Sequence, residues 1–60
     1  MLKPETNIYR GYKVLCTPHK DGKTCLLAVY KDVQKVWQKD EARCIEEAYD
    51  YIDHLKRSQR

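Results

Sequence analysis

Sixty residues with a net charge of +3 make one small domain, and a chain this short buries only about 60% of the surface its unfolded form exposes. No apolar run approaches the roughly 18 residues of a membrane span, and the start, Met1 to Asn7, lacks the apolar core of a secretory signal. Three cysteines, an odd number at irregular spacing, argue against a secreted disulfide framework and for free thiols in a reducing, cytoplasmic setting.

In chain order, residues 1–8 (MLKPETNI) are polar and contain Pro4, and are expected to form a flexible lead-in, frayed at least to Glu5. Tyr9 to Thr17, YRGYKVLCT, favours a half-buried strand. Pro18 cannot donate to a ladder, so this strand ends there or lies at an edge. Asp21-Gly22 then signals a hairpin turn, because glycine accepts positive φ without steric cost. TCLLAVYK, residues 24–31, is the best strand in the chain; Asp32 breaks it, and QKVWQK, residues 34–39, reads as a third.

Asp40 is expected to cap a helix that begins at Glu41. Ile45, Ala48, Ile52 and Leu55 form one apolar stripe, with Cys44 and Tyr51 on one flank and Tyr49 on the other. Arg43, Glu46, Glu47, Asp50, Asp53 and Arg57 occupy the opposite side, where Arg43–Glu47 and Asp53–Arg57 are at i,i+4 spacing. Acids early and Lys56, Arg57 and Arg60 late suit the helix dipole. About 17 helical residues would span roughly 25 Å. The expected class is α+β: a three-stranded antiparallel sheet with one C-terminal helix on one face (β-β-β-α), a single domain over residues 9–57 with residues 58–60 frayed.

Strand alternation divides the sheet into two faces. Tyr12, Val14 and Cys16 fall with Cys25, Leu27 and Val29 and are expected beneath the helix. Lys13, Leu15 and Thr17 fall with Leu26, Ala28 and Tyr30 on the reverse. That reverse is not polar, and four apolar residues close together on an uncovered sheet mark a binding surface. Trp37 has two placements: in the core, or with Lys35 and Lys39 on the open face.

Cys16, His19, Cys25 and Cys44 are zinc-competent, but only the C-x2-H spacing suits a tetrahedral site. Small buried hydrophobes are the simpler role for the thiols, and no metal is expected. Neither His19 nor His54 is tied to a cysteine as a catalytic base would be, and a domain this small does not readily enclose a substrate pocket. No enzyme activity, cofactor or small-molecule substrate is expected, nor any membrane association.

The bases are unevenly placed: residues 1–40 carry eight Lys/Arg against four Asp/Glu, and residues 41–60 carry four against five. Arg10, Lys13, Lys31, Lys35 and Lys39 belong to the sheet and its turns, where they can meet phosphates, and Tyr30 or an outward Trp37 can stack on bases. DNA or RNA binding through the open face is therefore the leading expectation. The alternative is a protein partner or homodimer held by Leu15, Leu26, Ala28 and Tyr30.

Tyr9-Arg10-Gly11 opening the first strand, Trp37 on the third, and Glu46-Glu47-Ala48-Tyr49-Asp50 on the helix resemble the plant ethylene-response-factor type of DNA-binding domain over roughly residues 9 to 53. The arm-binding domains of phage integrases are similar. The resemblance implies a three-stranded sheet inserted into a major groove, with Arg10, Lys13 and Trp37 as contacts.

Overall fold

The structure is a computed structural model that describes residues Lys3 to Ser58. Its elements are β1 (Glu5–Tyr9), β2 (Tyr12–Pro18), β3 (Cys25–Lys31), β4 (Gln34–Ala42) and α1 (Glu46–Ser58). The strands form one antiparallel sheet in the order β1-β2-β3-β4, a simple meander followed by the helix. The α+β class and the terminal helix match expectation, but the sheet has four strands rather than three.

The extra strand comes from within the expected lead-in. Glu5–Tyr9 pairs with β2 in continuous register, from Glu5 opposite Cys16 to Tyr9 opposite Tyr12. Arg10 and Gly11 form the two-residue turn between them, both at positive φ (51° and 84°), the backbone that matches the twist of a tight hairpin. Tyr9-Arg10-Gly11 therefore ends one strand and turns, rather than opening a long first strand. The Asn7-Ile8-Tyr9 alternation ahead of the Arg-Gly turn was the available signal for β1.

The expected hairpin between β2 and β3 is present. Pro18 lies opposite Cys25, leaving six loop residues. Asp21 organises them: its carboxylate accepts from the amides of Lys23 (2.9 Å) and Thr24 (3.0 Å) and from the Thr24 hydroxyl (2.9 Å). These donors, the Lys23 amide foremost, hold the Asp21 pKa below its ordinary value. An even loop length preserves the face parity, so Leu27 meets Cys16 and Ala28 meets Leu15.

β4 is longer than expected and displaces the start of the helix. Asp40 does not cap α1; it lies within β4, which runs on to Ala42 opposite Cys25. Pairing with the first residues of β3, and full burial of Ala42, outweigh the local capping preference of Asp40. The helix is 13 residues long, about 20 Å. Its first turn is closed from inside: Glu47 reaches back to the amides of Arg43 (2.6 Å) and Cys44 (3.4 Å), one half of a capping box. Ser58 belongs to α1; the rest of the expected frayed end, Gln59 and Arg60, lies outside the described residues, as do Met1 and Leu2.

The core lies between α1 and one sheet face. Val14, Leu27, Val29, Cys25, Ala42, Ala48 and Ile52 are fully buried, with Tyr12 and Cys16 nearly so. Tyr9, Trp37, Ile45, Tyr49, Tyr51 and Leu55 close its margins. Two stacked aromatic pairs join helix to sheet: Tyr9 on Tyr49 at 4.3 Å and Trp37 on Tyr51 at 4.9 Å. Ala48, Ile52 and Leu55 form the apolar helix stripe as read from its spacing; Cys44 and Ile45 precede α1, Ile45 packing on the core and Cys44 exposed.

Candidate binding face

The side of the sheet turned away from the helix carries the residues singled out as a binding surface. Register gives it a grid. One row crosses all four strands as Ile8, Lys13, Tyr30 and Lys35; the next is Thr6, Leu15, Ala28 and Gln38; Thr17 and Leu26 pair in a third. Leu15, Leu26 and Tyr30 are half-buried and lie outside the helix-side cluster. Ile8, at the edge, is 71% exposed. Ile8 and Thr6 reach this face because Glu5–Tyr9 is a strand beside β2, and Gln38 because Trp37 takes its core placement.

That offset settles the orientation of β4. Val29 pairs with Trp37 while the next residue, Tyr30, pairs with Lys35, so Val36 is an extra residue in β4. A second bulge follows, with Glu41 at φ 57°, between the Leu27–Lys39 and Cys25–Ala42 pairs. An unbroken strand would place Lys35, Trp37 and Lys39 on one face. The first bulge separates them instead. Trp37 follows Val29 to the helix side and stacks on Tyr51, while Lys35 lies beside Tyr30, its Nζ 2.6 Å from Gln38 Oε1.

The basic residues expected to act together are likewise divided. Lys13 and Lys35 lie on the open face. Arg10 sits at the β1–β2 turn, its Nε 3.4 Å from Asp53, whose carboxylate also accepts from the Tyr9 hydroxyl at 2.9 Å. Lys39 is engaged with Glu47 on the helix side. Lys31 lies over the Tyr12 ring at 5.4 Å, with Lys56 over the same ring at 5.5 Å. Of the nine residues expected to bind, Lys13, Leu15, Leu26, Tyr30 and Lys35 share the open face, and Arg10, Lys31, Trp37 and Lys39 do not. The expected local pairs give way to these longer-range ones, since Glu47 and Asp53 find Lys39 and Arg10 across the sheet–helix boundary.

These contacts set the charge of the molecule's two sides. Glu47 is held below its usual pKa, first by Lys39 and then by the Arg43 amide. Tyr9 is raised, mainly because its hydroxyl donates to Asp53. The helix side carries four helix carboxylates together with Lys56, Arg57, Arg10, Lys31 and Lys39, while the open-face grid carries Lys13 and Lys35.

The cysteines line a cleft of about 310 Å3 at the far end of the helix side, with Cys16, Cys25 and Cys44 beside Glu5, Ile45 and Glu46. All three are free thiols. Burial, then the neighbouring Cys25 thiol, pushes Cys16 up to about 11, which leaves it protonated at neutral pH. His19 faces a different cleft, with Asp21, Thr24, Asp40 and Glu41. Among the described residues, no three His, Cys, Asp or Glu side chains converge as a metal-holding group. No helix among them is long and apolar enough to cross a membrane.

The fold and this face define a small α+β domain: an antiparallel sheet with a terminal helix on one side and an uncovered, partly apolar surface on the other. Compared with known proteins, the chain matches no family model, no curated protein and no solved structure.

Proposed function

We propose that the domain binds single-stranded nucleic acid on its open sheet face. The observation that carries this reading is the row Lys13–Tyr30–Lys35 across three adjacent strands. At a strand spacing of about 4.8 Å, the two lysines flank the tyrosine at about 10 Å from each other. An unpaired base laid on Tyr30 would gain stacking energy, and its flanking phosphates would come within reach of the two ammonium groups. A base in a duplex is already stacked on its neighbours, so this arrangement favours an unpaired strand. Lys13 and Lys35 supply the positive charge that attracts a polyanion to this face. The similarity to ethylene-response factors survives as an antiparallel sheet followed by a helix; with Arg10 and Trp37 on the helix side, it lends nothing to groove insertion.

The test is a gel shift with a short single strand and its duplex, at low and moderate salt. Two phosphate contacts give a log–log salt slope of about −1.4 on a single strand. Tyr30→Ala should weaken binding by about 1–3 kcal/mol, the value of one stacked base. Lys13→Ala and Lys35→Ala should weaken it and flatten the slope, whereas Lys31→Ala should leave both unchanged. Absence of binding to any strand at low salt refutes the reading.

A second reading rests on the half-buried Leu15 and Leu26, which flank the buried Ala28 at the centre of the same face. They would serve as the apolar middle of a protein interface with Lys13 and Lys35 at its rim. Leu26→Glu separates the two: it would abolish a protein contact and leave a strand held by the Tyr30 row largely bound.

A further inference from the structure

A sheet edge presents unpaired backbone donors and acceptors and must be guarded or used. The two edges here are β1 and β4. β4 is guarded, with two bulges that interrupt its ladder and Lys35 and Lys39 along its length. β1 is less guarded: its five residues, ETNIY, carry one charge, Glu5, and no proline, lysine or arginine, and its register with β2 is unbroken.

The turn determines which β1 groups are free. A two-residue hairpin makes Tyr9 and Tyr12 a hydrogen-bonded pair, and such pairs alternate along an antiparallel ladder. Tyr9, Asn7 and Glu5 therefore direct their amides and carbonyls toward β2. Thr6 and Ile8 direct theirs outward, four groups placed symmetrically about Asn7.

We propose that this edge pairs with a second copy of the chain, antiparallel about Asn7, to form one eight-stranded sheet. The strand is complementary to itself in this register. Thr6 lies opposite Ile8 of the second copy, and all four outward groups are satisfied in two reciprocal pairs. A shift by two residues would satisfy only half of them. On the open face, Ile8, 71% exposed, gains apolar contact across the junction. On the helix side, Glu5 lies opposite Tyr9 of the second copy and next to its Arg10, bringing opposite charges together. Pairing would add buried surface to a sixty-residue chain, and domains of this size commonly gain stability from oligomerisation or from a covalent or metal staple. The two-fold axis stands perpendicular to the sheet, so both open faces point the same way. The two Tyr30 rings are then five strand spacings apart laterally, about 24 Å.

Sedimentation of the full chain without nucleic acid, from micromolar to millimolar, tests this independently of the nucleic-acid reading. The mass should rise from 7.2 kDa to twice that value. Thr6→Pro removes an outward amide without touching the β2 ladder, a position where an edge strand tolerates proline; it should stay monomeric with an unchanged circular dichroism spectrum. A wild-type chain still monomeric at the highest concentration, including one that pairs only when a foreign extended peptide is added, overturns the proposal. So does a folded Thr6→Pro chain that dimerises like wild type. Should Thr6→Pro not fold, Ile8→Lys keeps the backbone amide and places like charges across the axis. It should weaken the dimer by about tenfold or more, and an unchanged association constant overturns the proposal.

Discussion

Leu26 and Leu27 are adjacent, carry the same side chain and lie on opposite faces of β3, so truncating each in turn measures what the helix covers. Leu27 is fully buried among Val14, Val29 and Ile52. The three carbons lost in Leu27→Ala represent about 2.4 kcal/mol of transfer free energy, and the cavity left behind raises the cost to about 3–5 kcal/mol. Leu26 is half-buried and lies outside the helix-side cluster, and Leu26→Ala should cost about 1 kcal/mol or less. At about 0.05–0.15 kcal/mol per residue, a chain of this length has about 3–9 kcal/mol in total. In urea, with a slope near 1 kcal/mol/M, Leu26→Ala should lower the midpoint by under about 1 M. Leu27→Ala should lower it by about 3 M or leave the chain unfolded in buffer. The measurement is a denaturant titration followed by circular dichroism, below the concentration of any dimer. Equal losses for the two variants, or a larger loss for Leu26→Ala, would mean that the reverse face is also covered and would remove the proposed binding surface.

Three further outcomes are expected. Thiol titration of the native chain should give one fast group, Cys44, and two slow ones, Cys16 and Cys25, that react only as the fold opens; three fast groups would contradict the burial pattern. Glu47 and Asp21 have folded-state pKa values below their ordinary ones. Their contributions are complete above the ordinary carboxylate range and are lost as pH falls through the depressed values, so an acid titration of Glu47→Gln should show a shallower stability loss than wild type. Gly11→Ala should cost about 1 kcal/mol by thermal melt: the added carbon meets nothing within 4 Å, so the cost comes from holding a non-glycine residue at φ 84°. An unchanged melting temperature would show that the Arg10-Gly11 turn relaxes freely.

Alternation and helical spacing by themselves determined much of this protein. Two faces of β2 and β3 follow from period-two patterning, an Asp-Gly hairpin of even length keeps them in phase, and Ala48, Ile52 and Leu55 mark the buried stripe of the helix. These are local properties, set by backbone geometry and by which side chains avoid water, and each is carried by a few neighbouring residues. The rest depended on pairing between distant segments. Polar Glu5–Tyr9 becomes a strand because β2 offers it an unpaired edge, and Asp40 lies in a strand because β3 needs a partner as far as Cys25. The extra residue at Val36 sends Trp37 to the core and Lys35 to Tyr30, a choice between faces that the residue spacing left open. The recruitment of Arg10 and Lys39 by helix acids belongs to the same class. A bulge or a cross-element ion pair is decided by the register of two strands or the seating of a helix, and only the assembled sheet contains that information.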